Sequence, residues 1–194
     1  MQLDARTALI PIDVQQAFDH APWPPRNNPE MERNGLRLLE AWRASGRPLI
    51  HVNHASVVPG STLAAAHPGH AFRPGFEPRA GEPLVTKSVN AAFIGTDLDL
   101  RLRRLGMTSV VLFGISTDMC VSTTARVAAN LGYRTIVVGD ACFTFDQPDA
   151  DGTAIPADTM HRVHLATLRT EFAEVVDTAA LIAALEPPAL RAAG

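Results

Sequence analysis

Short, continuously apolar runs alternate along the chain with longer stretches whose apolar residues recur at helical spacing. Residues 7–13, TALIPID, read as a buried strand that delivers a carboxylate, Asp13, at its C-terminal end. Pro11 cannot donate to a ladder, so this strand is expected either to have a free edge at that point or to be distorted. Residues 28–46 place Met31, Leu36, Leu38, Leu39 and Trp42 roughly at helical spacing, and Gly46 then Pro48 stop the helix. A second strand, PLIHVN at 48–53, is followed by a long loop rich in Gly, Pro and His that runs to about Pro83. Loops of that length are usually functional or act as lids.

The alternation continues with a short strand at 84–86 leading into Lys87, a helix at 95–105 ended by Gly106, and the apolar strand SVVLFG at 109–114. A helix at 118–131 closes on Gly132, and the strand TIVV at 135–138 ends at Gly139 and Asp140. A helix at 156–169, a short strand at 174–176 and a terminal helix at 178–185 before Pro187 and Pro188 complete the pattern. Strands and helices in this order predict an α/β fold, a mainly parallel central sheet covered by helices on both faces. Without an internal repeat or a break in composition, residues 1–194 are expected to form a single domain.

Composition narrows the partners. With 17 Lys+Arg against 20 Asp+Glu, the net charge is −3, so no basic field exists to gather phosphates, and nucleic acid is not an expected partner. Residues 1–7 carry Asp4 and Arg6 and have no apolar core, unlike a signal peptide. The longest stretch free of Asp, Glu, Lys and Arg, 48–72, is broken by Pro59, Gly60, Pro68 and Gly69 and does not read as a membrane span. A cytoplasmic protein with no membrane contact is the expectation. Only two cysteines, Cys120 and Cys142, are present, too few for a disulfide scaffold.

In open parallel sheets ligands bind at the carboxyl ends of the strands. Asp13, Lys87, the 114–120 turn and Asp140 all fall at such ends in this reading. GISTDMCVSTTAR runs from a buried strand through a turn into a helix whose first turn holds Cys120, where the helix dipole and free N–H groups favour a thiolate. A thiol with a pKa of ~8.5 needs a base to take its proton or a cation to stabilise its anion, and Asp13 and Lys87 could supply one each. The bland alternative is that Cys120 is a small core residue.

The runs LIPIDVQQAF, TKSVNAAFIGTDLDLRLRRLG, GISTDMCVSTTARVAANLGYRTIVVGDA and HRVHLATLRTEFAEVV together resemble the isochorismatase-like cysteine hydrolase superfamily, which includes nicotinamidase and N-carbamoylsarcosine amidase. The resemblance covers nearly the whole chain. It implies a three-layer α/β/α sandwich, a Cys120, Asp13, Lys87 triad with Asp13 as the base, and a cis Ile115–Ser116 peptide. It further implies an oxyanion hole formed by the Ser116 and Cys120 backbone N–H groups. Hydrolysis of a C–N bond in a small amide or carbamoyl compound through a thioester would follow, with no cofactor. Members that hydrolyse an isochorismate-like ether resemble this pattern without a nucleophile at the cysteine position, so Cys120 favours the amide reaction. An ether hydrolase and a silent flavodoxin-like binding module remain as alternatives, though no G-x-G-x-x-G follows the first strand.

The pairs His51, His54 and His67, His70 could be taken for metal ligands. The family's metal-binding members resemble an Asp-x-His pattern in this region, whereas this chain has His54-Ala55-Ser56, and His51 and His54 point to opposite faces of a strand. No metal is expected, and His54 reads better as a hydrogen-bond donor to substrate. Phe18, Phe93 and Met119 lie close in sequence to the triad and are candidate pocket residues, as is Trp23 more weakly. Asp118, with Thr117, reads as a helix N-cap. Cys142 reads as a small buried residue, with pairing to an oxidised Cys120 as the alternative. His161 and His164 share a helix face expected to be solvated or turned to another subunit, and the resemblance implies a homo-oligomer, dimer or tetramer.

Overall fold

The structure, a computed structural model, describes residues 3–20 and 23–185; Pro187 and Pro188, expected to follow the last helix, lie outside the described residues. Its elements run β1 (Thr7–Ile12), α1 (Met31–Ser45), β2 (His51–His54), β3 (Leu84–Lys87), α2 (Leu98–Arg104), β4 (Ser109–Ile115), α3 (Ser122–Asn130) and β5 (Arg134–Phe143). Two short strands follow, β6 (Gln147–Pro148) and β7 (Ala154–Ile155), then α4 (Ala157–Glu171), β8 (Glu174–Val176) and α5 (Thr178–Leu185). Six strands form one parallel sheet in the order β3-β2-β1-β4-β5-β8, while β6 and β7 pair antiparallel outside it. Helix α1 packs with α5 and helix α3 with α4, and both pairs lean on β5, which gives the three-layer α/β/α arrangement. Among the described residues no helix is long and apolar enough to cross a membrane.

From β1 the chain winds outward through β2 and β3, then returns to β4 on the other side of β1 and winds away through β5 and β8. The reversal lies between β1 and β4, and such a switch point opens a crevice at the strands' carboxyl ends. Strand β1 is therefore central, so Pro11 has no free edge. Its effect is a local interruption on the β2 side, where Leu9 N donates to Pro48 O (3.0 Å) and Asp13 N to Val52 O (2.9 Å), and the intervening N–H is the one proline lacks. The ladder to β4 runs unbroken from Thr7 opposite Ser109 to Ile12 opposite Gly114.

Strand β5 does not stop at Asp140. Between the pairs Leu112/Val137 and Gly114/Cys142 its register shifts, so five residues of β5 span two of β4, and the strand continues to Phe143. The shift turns Asp140 away from the edge expected of it. Its Oδ1 accepts hydrogen bonds from Thr178 N and Thr178 Oγ1, both at 2.8 Å, at the start of α5, and its carbonyl accepts from Asn34 Nδ2 at 2.9 Å. Asp140 thus joins α1, β5 and α5.

Gly114 sits where β4 bends toward the crevice, at φ +134°, and a Cβ there would collide with the backbone carbonyl of Ile12. Strain at positive φ and the backbone clash add, so Gly114→Ala is expected to lose about 3 kcal/mol or more of stability. A urea unfolding midpoint close to that of the parent would contradict this close approach.

Candidate active site

Four carboxyl ends converge. Asp13 follows β1 directly in the left-handed region (φ 53°), and its side chain is fully buried. Lys87 ends β3 opposite His54, which ends β2. Cys120 lies in a π-helical turn, Thr117–Val121, between β4 and α3, closed by Val121 N donating to Ser116 O at 3.1 Å. The Ile115–Ser116 peptide is cis. Lys87 Nζ lies 2.6 Å from Asp13 Oδ2, donates to His54 Nδ1 at 2.9 Å, and donates to Cys120 Sγ at 3.3 Å. The buried ammonium is thus held by one ion pair and two hydrogen bonds. Because Nδ1 accepts, the remaining proton of a neutral His54 is on Nε2.

Both Asp13 carboxylate oxygens are buried without a partner in hydrogen-bond geometry, the Oδ2 contact with Lys87 being an ion pair. The unused lone pairs of this carboxylate suit it to take a proton, and the thiol is close, since the ligand atoms of Asp13, His54 and Cys120 all lie within 4.8 Å of one another. Burial raises the Asp13 pKa, and the Lys87 charge opposes this. Burial, with the Asp13 charge adding to it, also pushes the Cys120 thiol up, against the pull of Lys87. The resting group is therefore a neutral thiol beside an ion pair, not the preformed thiolate suggested by a helix start. Proton removal must accompany attack.

Asp13, His54 and Cys120 have the ligand types of a metal site. Lys87 Nζ already bonds to all three, occupying the position a cation would take, so the group is fitted to an ammonium and not to a metal ion. His51 faces the other way, with Nε2 2.9 Å from Glu82 Oε2, and His70 Nε2 lies 3.3 Å from Asn53 Nδ2. His67 stacks edge-on against His20 (5.2 Å) and accepts from Gly69 N.

The expected pocket residues divide. Phe18 belongs to a cluster with Trp23 (4.9 Å) and Phe145 (5.9 Å), and Met119 is half exposed and lines a cleft of about 460 Å³ together with Trp23 and Phe145. Phe93 is buried and stacks on Tyr133 at 5.9 Å, on the side of the core facing α2 and α3. Cys142 is fully buried, donates to Val138 O at 3.3 Å, and burial raises its pKa to about 12. Asp118 caps no helix. Its Oδ1 accepts from Ser116 Oγ at 2.6 Å and from Thr144 Oγ1, which pins the turn bearing Cys120 to the end of β5. His161 is partly buried, and its Nδ1 lies 2.8 Å from Thr117 Oγ1, tying α4 to the same turn.

Sequence reasoning passed over Gln15. Its Nε2 donates to His54 O (3.1 Å) and His70 O (2.8 Å), and its Oε1 accepts from His54 N (2.8 Å), so one buried amide holds the end of β2 against the long loop. Bonds from a side chain to distant backbone leave no periodic trace. The one local signal was a pair of amides, Gln15 and Gln16, just beyond Asp13.

Burial and the adjacent Lys87 charge lower the His54 pKa to about 4, with His70 adding a smaller push. Folded, His54 binds its proton only near pH 4, whereas the unfolded chain binds one near 6.5, so stability is lost as pH falls from 6.5 toward 4. The contribution is at most about 3 kcal/mol. Unfolding in urea at pH 4.5 and 7 is expected to show a smaller drop for His54→Gln than for the parent; identical drops would remove His54 as the cause.

The chain matches the Isochorismatase domain family over residues 7–180. A solved structure from Chromobacterium violaceum ATCC 12472, assigned to the isochorismatase family of hydrolases, superimposes with a TM-score of 0.91 at 45% identity, covering 95% of this chain and 96% of that one. The isochorismatase family protein YrdC of Bacillus subtilis (strain 168) is 40% identical over 93% of this chain and 96% of its own length. Ureidoacrylate amidohydrolase RutB of Methylobacterium radiotolerans is 33% identical over 98% of this chain and 83% of its own. With its parallel sheet, its switch-point crevice and its buried Asp, Lys and Cys side by side, the chain belongs to the isochorismatase family and is a hydrolase.

Proposed function

We propose that the chain hydrolyses a C–N bond in a small amide or carbamoyl compound through a thioester on Cys120. The observation that carries this reading is the contact of one buried ammonium, Lys87 Nζ, with both Asp13 Oδ2 (2.6 Å) and Cys120 Sγ (3.3 Å). Asp13 takes the thiol proton as sulfur attacks the carbonyl carbon; the C–S bond forms and the carbonyl π pair moves to oxygen. The oxyanion is received by the backbone N–H groups of Ser116 and Cys120, donors of a kind that contribute about 3 kcal/mol to a transition state. Collapse expels ammonia or an amine, which leaves with the proton held by Asp13. Water then attacks the thioester while Asp13 accepts its proton, the C–S bond breaks, and that proton returns to sulfur. The net change is amide plus water to acid plus ammonia or amine. Lys87 stays charged throughout and keeps Asp13 ionised in a buried site.

A relative whose name is ureidoacrylate amidohydrolase supports C–N hydrolysis, as does a nucleophilic thiol at the switch-point crevice. The test is ammonia release over a panel of small amides, ureides and carbamoyl amino acids, with Cys120→Ser as the blank. Cysteine-dependent ammonia from any member supports the reading. Pyruvate from an isochorismate-type ether, with no ammonia from any amide, would replace it.

A further inference from the structure

The cleft beside the Cys120 turn has walls that the hydrolytic groups do not use. Trp23 stacks on Phe145 at 5.0 Å with 25° between the rings, and Met119, next to Cys120 in the same turn, is 45% exposed along it. The Trp23 ring is held: its Nε1 donates to Ala17 O at 2.9 Å and to Thr62 Oγ1 at 3.3 Å, joining the segment after β1 to the long loop. Exposed Val57 and Val58 lie on that loop just before the residues lining the cleft. Large apolar side chains left open to water in one place mark a surface that something covers.

The charges around this cleft are as informative. Among the described residues no lysine or arginine lines it, and the one charged group that does is Asp146, whose Oδ1 accepts from Ala157 N at 2.7 Å at the start of α4. The two arginines packed on the neighbouring aromatic cluster are committed elsewhere. Arg26 lies over Phe143 at 4.3 Å and forms a bidentate pair with Glu32 (2.6 and 2.9 Å), and Arg73 binds Glu32 and Asp19, each at 2.7 Å. A carboxylate entering the cleft would give up water, meet no cation and face a fixed negative charge. A flat uncharged group would lie against the Trp23 and Phe145 faces and Met119, with Thr62 and Gln147 offering neutral hydrogen bonds.

We propose that this cleft is the specificity subsite of the hydrolase and takes an uncharged, flat apolar group, selecting neutral aryl or alicyclic amides over substrates that carry a carboxylate there. This rests on the amide-hydrolase reading above and names its substrate class. The reading of RutB's name, an amidohydrolase of an acid, does not transfer to this cleft.

The probes are benzamide and 4-carbamoylbenzoate, which share the ring and the amide and differ only in a carboxylate carried on the far side of the ring, where the cleft would receive it. Binding to the full-length Cys120→Ser protein is followed by tryptophan fluorescence and by calorimetry; the other tryptophan, Trp42, is fully buried in the core, so a fluorescence change reports Trp23. Benzamide is expected to bind at least tenfold more tightly than 4-carbamoylbenzoate, and Trp23→Leu to weaken benzamide about tenfold while leaving the weak 4-carbamoylbenzoate binding unchanged. 4-Carbamoylbenzoate binding as tightly as benzamide, or neither binding, overturns the proposal, as does a Trp23→Leu protein that binds benzamide like its parent. Turnover separates the two readings. Cysteine-dependent ammonia from acetamide together with equal binding of the two probes removes the subsite assignment alone. A tenfold benzamide preference with no ammonia from any amide keeps the subsite and removes the C–N chemistry.

Discussion

Cys120→Ser is expected to lower ammonia release at least about 10⁴-fold while the protein stays folded, with a urea midpoint within ~1 kcal/mol of the parent. The size follows from the state of the resting site. Burial and the Asp13 charge hold the Cys120 thiol neutral, so the nucleophile is made only when Asp13 accepts its proton during attack. A hydroxyl is a far weaker acid than a thiol, and a carboxylate paired with Lys87 is too weak a base to deprotonate it in step with C–O bond formation. The fold tolerates the change because the side chain fills little volume. Its neighbours, Lys87 Nζ at 3.3 Å and Asn90 Oδ1 at 3.8 Å, can bond to oxygen as they did to sulfur. The same neutral, 8% exposed thiol should react only slowly with iodoacetamide in the absence of substrate, so slow alkylation does not mark a silent protein. Initial rates of ammonia release alongside urea unfolding check both halves; a serine protein retaining more than about 1% of turnover would mean that Cys120 is not the attacking group.

Strand and helix positions were legible because apolar runs and helical spacing are local properties of the chain. The strand at 174–176 and the helix at 178–185 appear as read, and the helix ended by Gly46 does so because that glycine reaches φ 67°. That Asp13, Lys87 and Cys120 would lie close together was legible because Asp13 and Lys87 stand where apolar runs stop and Cys120 lies in the turn after one, which in a parallel sheet is the ligand edge. What was not legible depended on pairs of distant residues. Asp140 looked like an edge residue, but the shifted register of β5 turns it toward Thr178. Asp118 looked like a cap, yet a hydroxyl from Thr144, 26 positions away, draws it to the end of β5. His161 reads as a surface residue until α4 is laid on the turn carrying Thr117. The charge state of Cys120 was misjudged for the same reason: a helix start favours an anion, but the sequence does not state how deeply the group is buried or that a carboxylate lies beside it.

Lys87→Met is expected to abolish turnover and also to destabilise the fold, whereas pairing it with Asp13→Asn restores stability without activity. Both side chains are fully buried, at 0% exposure, with 2.6 Å between Nζ and Oδ2. Removing the ammonium leaves a buried carboxylate with no cation, a loss of about 3–5 kcal/mol, and Asp13→Asn alone leaves the ammonium in the same position. In the double variant neither charge remains, so its loss falls well short of the sum of the two single losses, and a double-mutant cycle from urea unfolding reads that coupling directly. The pH dependence fixes the cause. Burial raises the Asp13 pKa and Lys87 opposes the rise, so without Lys87 the folded-state pKa moves further above the value of the unfolded chain. A group with a raised carboxyl pKa loses stability as pH rises through the interval between those two values, because the unfolded chain ionises first. The deficit of Lys87→Met relative to the parent is therefore largest near neutral pH and shrinks as pH is lowered toward 4. A deficit independent of pH, or singles that add without coupling, would assign Lys87 to packing and remove it as the cation that keeps Asp13 ionised. Activity supplies the complementary half, since turnover stays lost in the double variant at every pH once the base and its counter-ion are both gone.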